Sequence, residues 1–303
     1  MNIIDVFNSF QTQEQAVEYL ETKRWRGRPT CPYCGSDKVC RHVSNDRQSQ
    51  RWQCQDCTKA FAVTVGTIFH GTHIPLRSWF LVVALMLNAK KSASACQIAR
   101  DIGIRRATVW SMMHRIRSAM SYDVKQKRLL FGIVEADETY VGGKPRKGNR
   151  KKDDFGRPIS PKNSRRGAGT DKTPVMGAVE RNGMVIAEPI TGKVDKSKLM
   201  GFINKYVERA ASLLVTDEHK AYQAAYEGGA HASINHQERY VDGWIHTNTI
   251  EGFWSLVKRA WYGQHHQYSK KYMFLYIAEA CYKYNVRKKD DSFHDMIGAM
   301  VNA

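Results

Sequence analysis

The chain has 303 residues, enough for two or three domains and a substantial core, so it is not one small module. Its 47 Lys and Arg outnumber 29 Asp and Glu, leaving a formal charge of +18 and a pI near 9.6, the footprint expected of a phosphate-bearing partner. An acidic protein or a membrane surface would suit that charge too. However, the longest strongly apolar run, residues 79–87, is about half the roughly 20 residues a spanning helix needs.

That run reads as a core helix over residues 76–88. The N-terminus, Met1-Asn-Ile-Ile-Asp-Val-Phe7, has neither a basic start nor a cleavage site, so a cytoplasmic protein with no membrane partner is expected. Residues 12–24 read as a short helix, with Thr12 and Gln15 at capping-box spacing and Ala16, Val17 and Leu20 on its apolar face. Cys31-Pro-Tyr-Cys34 and Cys54-Gln-Asp-Cys57 follow, two CxxC pairs separated by 19 residues. That spacing predicts a structural zinc site of four thiolates. A pair of disulfides fits less well, because cytosolic thiols stay reduced. Alternating residues at 38–43, 50–53 and 60–65 predict the short strands of a zinc ribbon. His42 is a possible substitute ligand beside a shell that four cysteines already close, and Cys40, Cys96 and Cys281 read as ordinary thiols.

Residues 92–104 read as a helix ending at a turn that contains Gly103, and residues 105–117 as a second helix. In the second helix Val109, Met112, Met113 and Ile116 point inward and the Arg and His residues outward. Helix, glycine turn and basic helix make a helix-turn-helix, whose second helix would bring Arg105, Arg106 and Arg115 to DNA; a plain helical hairpin is the alternative. Residues 145–173 are basic and without apolar period, and predict an inserted loop. Segments 175–180 and 184–190 flank Arg181-Asn182-Gly183, a hairpin signal. Residues 197–209 predict an amphipathic helix, and a further helical stretch lies near Lys220 to Tyr226.

Three carboxylates carry the chemistry. Asp137 ends the apolar run 129–136 and Asp217 follows the run 212–216, each reading as the end of a buried strand. A carboxylate there is costly unless it is paired or ligates a cation. Glu251 lies at the edge of an apolar helical stripe formed by Ile250, Phe253, Trp254, Val257 and Trp261. Lys258 follows seven residues later, on nearly the same azimuth and roughly 10 Å along the axis. Asp137, Asp217 and Glu251 together would make an oxygen-only site suited to Mg²⁺ and to two-metal phosphoryl transfer. Glu135, Glu138 and Glu218 flank these acids and could substitute in one or another role, although the plainer expectation is that they face solvent or sit at a loop base.

The fold class expected is α/β and multidomain: an N-terminal helix and zinc ribbon (1–70), a helical region (71–127), and a mixed sheet with helices (128–303). The order of elements and acids resembles the ribonuclease H-like fold of DDE transposases and retroviral integrases. The phrases Glu135-Ala-Asp-Glu-Thr-Tyr-Val-Gly-Gly143, Thr216-Asp-Glu-His-Lys-Ala-Tyr222 and His246-Thr-Asn-Thr-Ile-Glu-Gly-Phe-Trp-Ser-Leu-Val-Lys-Arg259 join the CxxC ribbon in this resemblance. With Gly263-Gln-His-His266 and Tyr282-Lys-Tyr-Asn-Val-Arg287, they resemble the zinc-ribbon insertion-sequence transposases of bacteria. The resemblance implies a metal-binding triad of Asp137, Asp217 and Glu251, with Asn248 as a residue that shares or replaces the third role. It also implies Lys258 as the basic residue after the third acid, and two Mg²⁺ or Mn²⁺ ions. Lys258 and Arg259 would hold DNA phosphates, and the partners would be the element's terminal repeats and target DNA, in a dimer or larger complex. A DNA-binding accessory protein, a ribonuclease H-like nuclease that shares the acids but lacks transfer, and a catalytically inactive copy are the rival readings.

Overall fold

The computed structural model describes residues 1–42, 50–142, 154–157, 172–217, 230–234 and 245–302, which form two compact units. Most of the basic insertion, the stretch near Lys220 to Tyr226 and Glu218 lie outside the described residues.

The first unit comprises residues 1–126 and 286–303. Helix α1 (Ile3–Ser9) precedes α2 (Gln13–Trp25), whose N-cap Thr12 and Gln15 form the expected capping box. Strands β1 (Val39–Arg41), β2 (Arg51–Cys54) and β3 (Ala60–Ala62) form a small antiparallel sheet. Glu21 of α2 ties itself to that sheet. It accepts two hydrogen bonds from the Arg41 guanidinium, at 2.8 and 2.7 Å, and one from Trp52 Nε1–H at 2.7 Å. The apolar run forms α3 (Leu76–Asn88), buried along Trp79, Phe80, Val82, Val83 and Met86.

Helix α4 (Ala95–Ile102) stops at Gly103, whose left-handed φ of 69° is the conformation a helix C-terminus takes most cheaply with glycine. Helix α5 (Arg106–Lys125) packs on α4 and buries the four residues expected to point inward. Two residues expected outward are buried as well. His114 lies under the Trp110 ring, with ring centroids 3.9 Å apart, and Arg117 is 1 % exposed. The physical reason is that α5 also packs against α3 and α9, so a wider arc of its surface is covered than a two-helix hairpin would cover.

The second unit spans residues 127–285 and is built on a five-stranded sheet in the order β6-β5-β4-β7-β8. The strands are β4 (Leu130–Val141), β5 (Thr173–Glu180), β6 (Val185–Pro189), β7 (Val207–Asp217) and β8 (His231–Ile234). Strand β5 runs antiparallel to both β4 and β6, and β7 and β8 continue parallel to β4. The β5–β6 hairpin turns at Arg181-Asn182-Gly183 as expected, with Asn182 at φ 60°.

Helix α6 (Lys196–Tyr206) is shorter than expected, because Val207 enters the ladder opposite Leu130 and the chain becomes strand β7 there. Tyr206 reaches Glu188, which pairs with Met176, so α6 covers one face of the sheet. Helix α7 (Asn248–Ala260) covers the other face, passing as a short π-turn into Trp261–His265. Helix α8 (Met273–Asn285) packs on α7 and β6, and the Asn285 amide both donates to and accepts from the backbone of Val185. That pairing satisfies the outer edge of the sheet.

The sheet-bearing unit ends at Asn285 rather than at residue 303. Helix α9 (Ser292–Asn302) belongs to the first unit, where Phe293 joins Phe10 and Phe80 in one aromatic cluster. Among the described residues, no helix is long and apolar enough to cross a membrane.

Candidate active site

The four ribbon cysteines come together from two tight turns. Their sulfurs all lie within 4.8 Å of one another, with Cys31 to Cys57 and Cys34 to Cys54 both at 3.6 Å. Zn–S bonds near 2.3 Å place the corners of a tetrahedron about 3.8 Å apart, so the four thiols fit one structural Zn²⁺. The cysteines are not disulfide-bonded, and the backbone N–H of Cys57 points at the Cys54 sulfur, 3.5 Å away, as in a ligand turn. Cys40 is directed at the Gln53 carbonyl and stays outside the cluster.

Asp137 is not at the end of its strand. Residues 138–141 continue β4 because they pair with Met176 back to Thr173 on β5, and Thr139, Tyr140 and Val141 favour extended backbone. Asp217 is the last residue of β7, as expected. The register that sets Glu135 beside Val215 puts Asp137 and Asp217 two residues further on along neighbouring parallel strands. They therefore share one face, on strands about 4.8 Å apart. Burial lifts the Asp137 carboxyl to about 7, and the negative charges of Glu138 and Asp217 push it the same way. Trp254 Nε1–H, donating to Asp137 Oδ2 at 3.0 Å, only partly opposes that. Two half-buried acids on one face, each raising the cost of the other's charge, form a donor set that suits a hard divalent ion.

The third acid sits on α7. Ile250, Phe253, Trp254 and Val257 are buried, whereas Asn248, Glu251, Lys258 and Arg259 are exposed. The Thr247 hydroxyl points at Glu251 Oε1, 3.5 Å away. Trp254, three residues after Glu251, links this helix directly to Asp137. Its ring lies over Gly177, the residue paired with Asp137 on β5, where an added Cβ would meet the indole at 2.6 Å. Glycine at 177 is what lets α7 come this close. Lys258 lines a groove of about 470 Å³ with Lys172, Trp261, Tyr262 and residues 138–142. Among the described residues, the His, Cys, Asp and Glu side chains grouped closely enough to hold a metal ion are the four ribbon cysteines, and Asp137, Asp217 and Glu251 do not form such a group.

Residues 129–285 match the ISXO2-like transposase domain, and residues 11–60 match the transposase zinc-ribbon domain. The chain belongs to the ISXO2-like transposase family. A protein of Halobacterium salinarum, described as an uncharacterized protein in transposable element ISH50, is 30% identical over 275 residues, covering 89% of this transposase and 90% of that protein. Among solved structures, the catalytic core domain of BIV integrase is similar over 52% of this chain and 84% of its own, at 16% identity and a TM-score of 0.30. The Mos1 mariner paired end complex with Mn is similar over 73% and 75%, at 12% identity and a TM-score of 0.32.

Of the three arginines expected to reach DNA from the second helix, Arg105 and Arg106 are exposed at the start of α5, beside the 39 %-exposed ring of Trp110. Arg115 is placed differently. It donates to the His70 carbonyl at 2.7 Å and lies over the Trp79 ring, so it holds the first unit together.

Sequence reasoning missed Glu135, which is 0 % exposed and does not face solvent. It shares the α7-facing side of β4 with Asp137 and accepts hydrogen bonds from Arg181, Thr249 and Ile250. The available signal was the alternation of Glu135, Asp137 and Thr139 against apolar Val134 and Ala136. A strand polar on one side reads as solvent-facing unless the helix that covers it is known.

Proposed function

We propose that this transposase cleaves the ends of an insertion sequence and joins the freed 3′ hydroxyls to target DNA. In this reading Asp137, Asp217 and Glu251 hold two Mg²⁺ or Mn²⁺ ions, with Asn248 beside Glu251 as an auxiliary ligand. The observation that carries it is the side-by-side placement of Asp137 and Asp217 on parallel strands, under a helix that presents Glu251 and Lys258 on one azimuth. When bound, such ions lower the pKa of an attacking water and stabilise the departing oxygen.

The chain's own groups supply the rest. Lys258 and Arg259 hold the phosphates flanking the scissile bond, with Lys258 lining the groove beyond β4. Arg105 and Arg106 contact DNA from the start of α5, and the ribbon adds contacts to the terminal repeats. In cleavage, water adds to phosphorus and the bond to the 3′ oxygen breaks. In joining, that 3′ hydroxyl attacks a target phosphodiester and displaces another 3′ oxygen, with no covalent protein intermediate. Joining two ends needs two such sites, so a dimer or larger DNA complex is the working form, acting on chromosomal DNA in the cytoplasm.

The test is a cleavage and strand-transfer assay with Mg²⁺ on DNA carrying the element's ends, comparing wild type, Asp217→Ala, Glu251→Ala and Lys258→Ala. Joined products are expected from the wild type and none from either acid variant. Lys258→Ala is expected to lower joining while Mn²⁺ binding persists. A wild type that binds the ends but never cuts them would make the chain a DNA-binding accessory protein or an inactive copy.

A further inference from the structure

Helix α7 begins without a side-chain cap of its own: Thr247, at the N-cap position, makes no capping hydrogen bond to the backbone N–H groups of the first turn. The work falls to Glu135 on β4. Its Oε2 accepts the backbone N–H groups of Thr249 at 2.8 Å and Ile250 at 3.1 Å, the second and third residues of the helix. These are the donors that an N-cap side chain normally satisfies, and a negative charge there also complements the helix dipole. Glu135 Oε1 accepts the Thr249 hydroxyl at 2.9 Å and Arg181 Nε–H at 2.7 Å, and His246 Nδ1 lies 3.3 Å away. Arg181, from the β5–β6 turn, also donates to the His246 carbonyl at 2.8 Å.

A local cap would fix only the helix. A cap borrowed from a strand fixes the helix to that strand, here two residues before Asp137. We propose that Glu135, charge-balanced by Arg181, is a positioning residue for transposition, setting where α7 starts along β4 and so the register of Glu251 against Asp137. This rests on the role given to Glu251 under the proposed function. Glu251 directly follows the clamped Ile250, whereas Lys258 lies about 12 Å beyond Ile250 along the axis, on a part of α7 secured by Phe253, Trp254 and Val257. Loosening the clamp therefore moves the acid more than the lysine. A purely structural loss would instead reduce cation binding and DNA binding together, in proportion to the unfolded fraction.

The experiment uses the full-length, zinc-loaded chain and compares wild type, Glu135→Gln, Arg181→Lys and Asp137→Ala. Mn²⁺ binding is followed by electron paramagnetic resonance, DNA-end affinity by titration, and amide protection by hydrogen exchange. Glu135→Gln is expected to expose the Thr249 and Ile250 amides to exchange and to weaken Mn²⁺ binding by about 10–100-fold, leaving DNA-end affinity within about twofold. Arg181→Lys, which keeps the charge, is expected to lose less. Unchanged Mn²⁺ affinity in Glu135→Gln, or equal losses of Mn²⁺ and DNA binding, would overturn the positioning role. Asp137→Ala binding Mn²⁺ as tightly as the wild type would instead overturn the functional reading, and the positioning role with it. The exchange data report in either case whether the clamp itself forms.

Discussion

The zinc-ribbon cluster and the proposed carboxylate site of this chain are built on opposite plans. The ribbon's four thiols come from two CxxC turns within 27 residues and already span a tetrahedron. The proposed carboxylate site would draw Asp137 from β4, Asp217 from β7 and Glu251 from α7, segments that only sheet pairing and helix docking can bring together. Local geometry makes the first site nearly autonomous. The second inherits every error in strand register and helix placement, which is why Glu135, Trp254 and Gly177 surround it as supports.

If that contrast is right, Cys54→Ser should have the largest effect on stability and confine it to the first unit. Bound zinc should fall and the ribbon unfold, at a cost on the order of 5 kcal/mol or more, while the sheet keeps its amide protection. Metal analysis with hydrogen exchange checks this; loss of protection in β4 and β7 would end the claim of autonomy.

Gly177→Ala is the converse. Its methyl would meet the Trp254 ring, so α7 must shift, costing about 1–3 kcal/mol in denaturant unfolding of the second unit with zinc content unchanged. An unshifted midpoint would show that α7 has slack over the sheet.

The carboxylate site should also respond to pH before any divalent ion is added. The Asp137 carboxyl is raised to about 7 in the folded chain from its ordinary 3.8, so folding favours its protonated form. Stability from this group is full below the unfolded value and is lost as pH rises towards 7. Zinc-loaded protein without Mg²⁺ or Mn²⁺ should therefore lose stability in the second unit between about pH 4 and pH 7, and Asp137→Asn should flatten that slope. A slope of equal size in the variant would assign the effect to other groups. The smallest expected effect is Thr12→Ala, which removes the α2 cap beside the ribbon and should cost about 1 kcal/mol, read from the thermal midpoint.

Much of this molecule was legible in short stretches of sequence. Thr12 and Gln15 announced α2, the apolar run announced α3, Gly103 marked the end of α4, Asn182-Gly183 marked the hairpin, and the CxxC spacing specified the zinc cluster. Each depends on neighbours a few residues away, whose chemistry acts through local backbone geometry. The motif phrases likewise located Asp137, Asp217 and Glu251 along the chain.

What tertiary structure decided are matters of partnership across long separations. The sequence offers Glu135 as one more acid on a strand; only the docking of α7 and the approach of Arg181 make it a buried cap. Arg115 and Arg117 read as outward cations until His70, α3 and α9 cover their side of α5. The apolar face of α9 requires burial but does not say where, and the aromatic cluster of Phe10 and Phe80 decides it. Periodicity and propensity determine which residues must be buried or capped. Which group does the burying or capping is fixed when segments distant in sequence pack together and the cost of an unpaired charge or N–H selects among them.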